Sequence, residues 1–311
     1  MITLDTGAVQ RLLPKVDALA EMRAMFGALS EQQAVQPPQT LTLFPDGGGD
    51  FITYLGALAK AGVFGAKLSP YLPTDGAPII TAWTVLMSMQ TGQPLVMCDA
   101  SRLTTLRTAA TTALAVDLLA QPDAAKLTII GSGAVAMEHW RQVRGVRGWS
   151  EVRLFSPSLS GNDARQAEWQ AQCPGVILAD TADDAVSGAD GVMLCTSSGT
   201  PVIDPAQLLP HALVTSISTN VANAHEVPPA FLTGADVYCD YRVTTPSTAG
   251  DMVLAARDHG WLPSMIRGDL ADLVSGIASR PSGDRPAFFR SVGLGLEDIA
   301  MAHAIYRAAT A

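Results

Sequence analysis

Residues 126–143, KLTIIGSGAVAMEHWRQV, form the stretch that decides the fold. The apolar run Leu127–Ile130 predicts a buried strand, and the residues after Ala136 predict a helix. Between them, Gly131 to Ala136 read G-x-G-x-x-A, the dinucleotide fingerprint in the strand–turn–helix context that it requires. The glycines let backbone N–H groups approach a pyrophosphate, and a helix N-terminus adds positive potential there. Taken alone, the motif is also compatible with an ordinary strand-to-helix turn.

Three later segments favour a complete nucleotide-binding domain over that alternative. They are EVRLFS (151–156), GVILADTADDAVSGADGVMLCTS (175–197) and ALVTSIST (212–219), and each predicts a further α/β unit. We therefore predict a Rossmann domain in which the fingerprint turn holds the pyrophosphate and a later strand end also contacts the coenzyme. The residues assigned to these contacts are Gly131, Ser132, Gly133, Ala134, Val135, Thr196 and Ser197.

The end of the second predicted strand bears on the choice of coenzyme. NAD enzymes usually place an acid there to accept hydrogen bonds from the ribose, and that acid would repel a 2′-phosphate. This chain has Ser156, Pro157 and Ser158, with no carboxylate before Asp163, and Arg165 follows. We predict that NADPH is used in preference to NADH, with Ser156 and Ser158 at the adenosine ribose. A surface loop that leaves recognition to other contacts is the alternative.

The first hundred residues contain mostly strand and turn signals. TLTLFPDGGGDFITYLG (40–56) has alternating apolar positions on both sides of a Pro-Asp-Gly-Gly-Gly turn, which predicts a hairpin. VFGAKLSPYLP (63–73) and GAPIITAWTVLMSMQTGQPLVMCDA (76–100) continue the pattern, so we expect an antiparallel sheet. From Leu103 the Ala- and Leu-rich sequence predicts a helix that ends at QPDAAK.

Composition excludes several classes of function. The 311 residues are 48% apolar and 16% charged, with a net charge of −9, which fits a globular protein with a large core. Without a basic cluster, neither nucleic acid nor an anionic membrane surface is an expected partner. The histidines lack metal-ligand spacing, and the cysteines form no C-x-x-C pair, so we expect no metal and only structural thiols. The N-terminus resembles no targeting segment, and a cytoplasmic location is expected.

Five segments, taken in order, resemble the ornithine cyclodeaminase/μ-crystallin family. They are FGAKLSP (64–70), LRTAATTALAVDLLA (106–120), IIGSGAVA (129–136), TSSGTPVI (196–203) and FFRSVGLGLEDIAMAHAIYRAA (288–309). The resemblance implies an α/β fold in which a Rossmann domain, residues 116–293, is inserted in an α+β substrate and dimerisation domain, residues 1–115 plus 294–311. It also implies a homodimer acting on an amino or imino acid whose C2 exchanges hydride with the nicotinamide.

The resemblance also assigns roles to individual residues. Lys67 and Arg107 match basic residues of the family that contact the substrate, and Arg107 would grip its carboxylate with a bidentate fork. Gln39 and Thr84 complete the expected substrate-binding set, and Gly293 is expected near the nicotinamide. From the residues alone, Lys67 and Arg107 could instead form structural ion pairs or extend along the surface to water.

Two positions depart from the cyclodeaminase pattern. Gln39 stands where much of the family has an arginine, and Asn220, six residues before Glu226, stands where the cyclodeaminases have an aspartate. That carboxylate is expected to deprotonate the substrate amine, which an amide cannot do. Reduction of an imine needs no such base, so Asn220 is predicted to hydrogen-bond near the imine. A turn residue at the strand end is the alternative for Asn220.

These observations together predict an NAD(P)H-dependent imine reductase. Its expected substrate is Δ1-pyrroline-2-carboxylate, which gives L-proline, or the six-membered homologue, which gives L-pipecolate. Arg107 would bind the carboxylate, and Lys67 would bind the same group or donate a proton to the imine nitrogen. Two other functions stay open: an ornithine cyclodeaminase that uses NAD and releases ammonia, and a non-catalytic nucleotide-binding protein of the μ-crystallin type.

Overall fold

A computed structural model describes residues 1–219 and 221–311, which form two compact units. The split unit consists of residues 1–107 and 293–311, and the inserted unit consists of residues 108–292. The sequence analysis expected the changes of domain after residues 115 and 293. The first change of unit falls within one long helix, Ser101–Leu119, whose first residues belong to the split unit and whose last belong to the inserted unit.

The strands are numbered in chain order over the described residues. They are β1 (Ile2–Leu4), β2 (Ala34–Val35), β3 (Thr40–Leu43), β4 (Asp50–Leu58), β5 (Val63–Leu72), β6 (Ile79–Ile80), β7 (Trp83–Ser88), β8 (Pro94–Asp99), β9 (Lys126–Ile130), β10 (Glu151–Phe155), β11 (Ile177–Leu178), β12 (Gly191–Leu194), β13 (Leu213–Ser216), β14 (Asp236–Cys239), β15 (Ile266–Asp269) and β16 (Ala287–Arg290).

The α-helices follow the same order. They are α1 (Thr6–Leu12), α2 (Ala18–Ser30), α3 (Ser101–Leu119), α4 (Ala134–Val143), α5 (Asp163–Gln172), α6 (Ala182–Val186), α7 (Thr245–Thr248), α8 (Gly250–Asp258), α9 (Leu270–Val274) and α10 (Gly295–Thr310). Short 3-10 helices are Leu13–Lys15, Pro45–Gly47, Ala59–Ala61, Pro205–Gln207, Pro229–Thr233 and Pro263–Met265. Among the described residues, no helix is both long and apolar enough to cross a membrane.

The split unit is built on a mostly antiparallel sheet, as its alternating sequence predicts. The strand order is β1-β8-β7-β5-β4-β2, with β3 on β4 and β6 on β5, and β1 alone runs parallel to its neighbour among the described pairings. The predicted hairpin is β3–β4, closed by the Phe44 N–H, which donates to the Gly49 carbonyl at 2.9 Å. Helix α10 packs on β4 and β5 and covers one face of this sheet.

Two helices near the N-terminus were not predicted. Their signals are nevertheless present, because Asp5 and Asp17 accept hydrogen bonds from the N–H groups of Ala8 and Ala20 and so cap α1 and α2. Helix α2 buries Met22 and Phe26, and it contacts α10 within the split unit.

The inserted unit contains a parallel sheet in the order β11-β10-β9-β12-β13-β16-β14-β15. Its first five strands follow the doubly wound pattern, in which the chain starts at a central strand and proceeds first to one side and then to the other. Strands β9, β12 and β13 are buried on both faces along almost their whole length, as the central strands of a parallel sheet are. The predicted α/β class with a Rossmann domain is confirmed.

Candidate functional site

The inserted unit has a cavity of about 930 Å³ beside the carboxyl ends of β9, β10, β12 and β13. This is the edge of a doubly wound sheet where ligands bind. Most of the described lining residues are glycine, alanine or residues with an uncharged polar side chain, several are apolar, and Arg165 is the only charged one. They are Ile130–Val135, Phe155–Ser158, Asn162, Arg165, Cys195–Ser198, Val202, Ile217 and Ser218.

The fingerprint turn fits a pyrophosphate on two observations. Gly131 has φ +111°, and a Cβ there would stand 2.4 Å from the Cys195 carbonyl oxygen, so only glycine allows this turn. Gly133 has no atom within 4 Å of where its Cβ would be, which leaves room above the turn. Within the described chain, no side chain caps α4, so the N–H groups of its first turn remain available to an anion.

Three serine hydroxyls form a chain at the end of the second strand. The Ser132 and Ser158 Oγ atoms are 3.2 Å apart, and those of Ser158 and Ser156 are 2.9 Å apart. Arg165 contacts Glu168 at 3.2 Å in an exposed ion pair, which holds its side chain only weakly. Hydroxyl donors and a cation, with no acid among the described lining residues, suit the 2′-phosphate of NADPH.

The structure brings together nearly all of the predicted coenzyme contacts. The residues that line this cavity are Gly131, Ser132, Gly133, Ala134, Val135, Ser156, Ser158, Thr196 and Ser197. Gly293 instead lies in the split unit, with φ +81°, and a Cβ there would stand 2.2 Å from the Arg107 Nη1 atom. The close approach of Arg107 therefore explains why a glycine stands at position 293. A position of Gly293 near the nicotinamide stays a prediction.

The split unit contains a buried cluster of four charges. The Lys67 Nζ atom lies 2.8 Å from the Asp298 Oδ2 atom. The Arg107 Nη1 atom lies 2.8 Å from Glu297, and its Nε atom lies 3.2 Å from the Asp298 Oδ1 atom. All four side chains are at most 6% exposed. Glu297 and Asp298 come from the first turn of α10, so this helix neutralises both basic residues.

Burial and ion pairing act differently on the two basic groups. Burial lowers the pKa of Lys67 to about 8, and the attraction of Asp298 opposes this only in part. Burial also disfavours the charged form of Arg107, but Asp298 and Glu297 outweigh it and raise the pKa of the guanidinium above its usual value. Arg107 is therefore a permanent cation, whereas Lys67 can exchange a proton near neutral pH.

Other residues around Lys67 come from neighbouring strands. Tyr54 and Thr84 are its direct cross-strand partners, and the Lys67 ammonium lies 4.0 Å from the centre of the Tyr54 ring. The Thr84 hydroxyl is buried without a hydrogen-bond partner among the described residues. A buried polar atom without a partner is costly, so this hydroxyl is a candidate ligand contact. The Thr104 hydroxyl accepts a hydrogen bond from Lys67 at 3.3 Å.

The remaining predicted substrate residues have less structural support. Gln39 lies half-buried in the loop between β2 and β3, and no contact described for the charge cluster involves it. Asn220 lies outside the described residues. Sequence reasoning also missed Tyr54, Glu297 and Asp298 as members of the cluster, although the Glu-Asp pair stands in a segment that carries the family resemblance.

The whole chain is similar to proteins of one family. The model of the ornithine cyclodeaminase/mu-crystallin family matches residues 4–311. An NAD(P)H-dependent anabolic L-arginine dehydrogenase from Pseudomonas aeruginosa is 55% identical over 98% of this chain and 96% of its own. A Δ1-pyrroline-2-carboxylate reductase from Bacillus cereus is 25% identical over 99% of this chain and 97% of its own. A probable ornithine cyclodeaminase from Bordetella pertussis superposes with a TM-score of 0.89 and 30% identity, over 100% of this chain and 97% of its own.

Proposed function

The chain belongs to the ornithine cyclodeaminase/mu-crystallin family, and from that premise we propose that it is an NAD(P)H-dependent dehydrogenase that forms L-arginine from its 2-imino acid. The substrate assignment rests on the 55% identity to an L-arginine dehydrogenase over nearly the full length of both chains. The broader prediction of an NAD(P)-dependent oxidoreductase of this family is confirmed, as is the use of NADH or NADPH. A preference for NADPH stays a proposal, supported by the serine hydroxyls and Arg165.

The reaction requires one hydride and one proton. A 2-oxo acid and ammonia would lose water to form the imine, and a bound dihydronicotinamide would supply the hydride that C2 of this imine requires. The imine nitrogen must receive a proton. Arg107 would hold the substrate carboxylate with its permanent charge. Lys67 would contact the same carboxylate or donate the proton, and its lowered pKa suits the second role.

The fixed ion pairs of the cluster support this role for Arg107 and Lys67. Glu297 and Asp298 pair with the two buried cations, and this attraction favours the charged forms of Lys67 and Arg107. They also fix the orientation of both basic side chains, and preorganised groups stabilise a transition state at little reorganisation cost. The unpartnered Thr84 hydroxyl would complete the contacts to the substrate.

A panel of substrates tests the proposal. The purified protein is incubated with NADPH, ammonia and either the 2-oxo acid of arginine or other 2-oxo acids, and loss of the dihydronicotinamide absorbance is followed. We expect the arginine precursor to give the highest kcat/KM, with L-arginine as the product and reversal on adding NADP⁺ and L-arginine. A rate with the arginine precursor no higher than with pyruvate would contradict the substrate assignment.

Reduction of cyclic imino acids is the second candidate. It is supported by the similarity to a Δ1-pyrroline-2-carboxylate reductase and by the neutral Asn220 where the cyclodeaminases have an acid. In the same assay, Δ1-pyrroline-2-carboxylate needs no added ammonia. A higher kcat/KM with this compound than with the arginine precursor would favour the second candidate. Release of ammonia from L-ornithine without net coenzyme turnover would instead indicate a cyclodeaminase.

A homodimer formed through the split unit is part of the proposal. In β4 and β5, Gly56 and Gly65 face α10, because a Cβ at either position would contact that helix. Leu55, Phe64 and Leu68 alternate with those positions and face the opposite side, where they are 38–46% exposed. An exposed apolar sheet face favours burial against a second copy. We expect a dimer by light scattering and a monomer for Leu68→Glu; a monomeric wild-type protein would contradict this.

A further inference from the structure

A single buried carboxylate joins two strand ends in the inserted unit. Glu226 is fully buried, and its Oε1 atom accepts hydrogen bonds from the Thr196 N–H at 3.0 Å and the Thr196 hydroxyl at 2.7 Å. Its Oε2 atom accepts from the Ser216 hydroxyl at 2.8 Å, the Ile217 N–H at 3.0 Å and the Ser218 N–H at 3.1 Å. Five donors therefore converge on one side chain.

Four of these five donors belong to residues in the wall of the coenzyme cavity. Thr196 follows β12, and Ile217 and Ser218 follow β13, and all three line the cavity. The Ser218 hydroxyl also donates to the Ser198 carbonyl at 2.7 Å, which adds a second link between the two segments. The carboxylate thus sets the spacing of the backbone at the ends of β12 and β13.

Only an acceptor with two free oxygens can satisfy this arrangement. Burial raises the pKa of Glu226, while the donated hydrogen bonds act against that shift and favour the ionised form. A glutamine would turn an amide N–H₂ towards one group of donors, and those donors would lose their acceptor. Buried N–H groups without a partner are costly, so the strand ends would move apart to find one.

We propose that Glu226 is a positioning residue for the nicotinamide half of the coenzyme, which rests on the coenzyme use described above. The sheet order β10-β9-β12-β13 carries the argument. Ser156 follows β10 and the fingerprint turn follows β9, so the adenosine ribose and the pyrophosphate occupy that side of the cavity. The strand ends that Glu226 joins lie on the other side of the turn, where the nicotinamide half extends.

The experiment compares Glu226→Gln with a matched control, Asp240→Asn. Asp240 is also a fully buried carboxylate of the same sheet, and it accepts hydrogen bonds from the Ser291 hydroxyl at 3.0 Å and the Val292 N–H at 2.7 Å. Neither donor is among the described lining residues of the cavity. Binding of NADPH and of the fragment 2′,5′-ADP is measured by fluorescence and calorimetric titration, together with the KM for NADPH.

We expect Glu226→Gln to raise the Kd of NADPH by about tenfold or more, since charge-assisted hydrogen bonds are lost. Binding of 2′,5′-ADP should stay within about twofold of the wild type, because this fragment lacks the nicotinamide half. Asp240→Asn should leave both affinities unchanged while lowering stability. If Glu226→Gln does not fold, Ser216→Ala removes one donor outside the described lining, and we expect a rise of about threefold for NADPH alone.

Two results would overturn the inference. One is an unchanged NADPH affinity in Glu226→Gln and in Ser216→Ala. The other is an equal weakening of NADPH and 2′,5′-ADP, because that would indicate general disturbance of the cavity and not of one half. A wild-type protein that binds neither nucleotide would overturn the coenzyme assignment itself, and the inference with it.

Discussion

The coenzyme cavity of the inserted unit and the charge cluster of the split unit are built on opposite principles. The cavity is lined mainly by glycines, hydroxyl groups and apolar side chains, and Arg165 is its only charged residue among those described. The cluster contains four charged side chains that are nearly fully buried. A dinucleotide brings its own negative charge and needs donors, whereas buried cations need partners from the protein itself.

Because of this difference, residues of the cavity affect coenzyme binding with little effect on stability. Residues of the charge cluster affect stability and activity together. Several cavity residues contact solvent and could be replaced without disturbing the core. Arg107, Lys67, Glu297 and Asp298 are joined by three ion pairs, so removing any one of them breaks at least one buried ion pair. We therefore expect substitutions in the cluster to reduce stability and activity together, and most substitutions in the cavity to reduce only coenzyme binding.

Arg107→Met should give the largest effect. It removes the ion pair with Glu297 at 2.8 Å, and breaking a buried ion pair costs about 3–5 kcal/mol of unfolding free energy. Arg165→Met is the control in the inserted unit, and its exposed ion pair with Glu168 predicts a loss below about 1 kcal/mol. Urea unfolding measures both. Equal losses would show that the two regions do not differ in this respect.

Arg107→Lys separates the structural role of this residue from substrate binding. It keeps the positive charge, so most of the lost stability should return. It cannot form a bidentate fork, so kcat/KM should fall by a factor that corresponds to about 1.5–3 kcal/mol. An unchanged kcat/KM would show that Arg107 is structural only.

Alanine substitutions at two glycines of the fingerprint turn test whether effects on stability and on coenzyme binding can be separated within the cavity. Gly131→Ala requires φ +111° and places a Cβ 2.4 Å from the Cys195 carbonyl, so we expect a stability loss of about 1–3 kcal/mol. Gly133→Ala meets no atom within 4 Å and has an ordinary φ of −75°, so stability should change by less than about 0.5 kcal/mol. NADPH titration should nevertheless show weaker binding in both variants. Normal binding by Gly133→Ala would contradict the assignment of the turn to the pyrophosphate.

The residues that line the cavity of the inserted unit could be predicted from sequence because each follows directly from its local segment. The segment Gly131–Val135 is contiguous, and its role follows from the strand before it and the helix after it. Ser156, Thr196 and Ser197 each follow a strand whose apolar run is evident, and the carboxyl ends of parallel strands meet at one edge of the sheet. The sequence therefore predicted both the sheet and the edge at which the cavity lies.

The contacts of the charge cluster could not be predicted from the local sequence in the same way. Arg107 and Glu297 are separated by 190 residues, and nothing local in the sequence indicates their contact. The family resemblance identified Lys67 and Arg107, but it did not indicate that α10 would supply a carboxylate to each. The position of Thr84 opposite Lys67 depends on the register of β5 and β7, which turn residues alone do not determine.

The inserted unit contains a buried histidine whose lowered pKa should make the stability of the protein depend on pH. His139 lies in α4, its Nδ1–H donates to the Val135 carbonyl at 2.7 Å, and its Nε2 accepts from the Thr112 hydroxyl at 3.1 Å. Burial lowers the pKa of His139 to about 4. Because this lies below the unfolded value of about 6.5, the contribution to stability is complete above that pH and is lost as pH falls towards 4.

We therefore expect the melting temperature of the wild type to fall between pH 7 and pH 5 by more than that of His139→Gln. The difference should be a few degrees, since about 1 kcal/mol corresponds to 2–4 °C in a protein of this size class. His259→Gln changes an exposed histidine and serves as the control. Parallel pH profiles for the wild type and His139→Gln would show that His139 is not kept neutral by the fold.

Ser156→Asp should give the smallest effect, confined to the choice of coenzyme. Ser156 follows β10, and its hydroxyl belongs to the serine chain at the cavity wall, so an aspartate there would face the adenosine ribose. It would accept hydrogen bonds from the ribose of NADH and repel the 2′-phosphate of NADPH, which together favour NADH. Each contact of this kind is worth roughly one to a few kcal/mol, so the ratio of the two kcat/KM values should shift by about tenfold or more.

Ser160→Asp provides the matched control, because Ser160 is exposed, lies outside the described cavity lining and receives the same added charge. Its coenzyme ratio should stay within about twofold of the wild type, since an exposed charge is screened by solvent. A ratio that moves equally in both variants would indicate a general electrostatic effect. A ratio that moves in neither would mean that Ser156 does not contact the ribose, and the inserted unit would then recognise the 2′-phosphate through other donors, of which Arg165 is the first to replace.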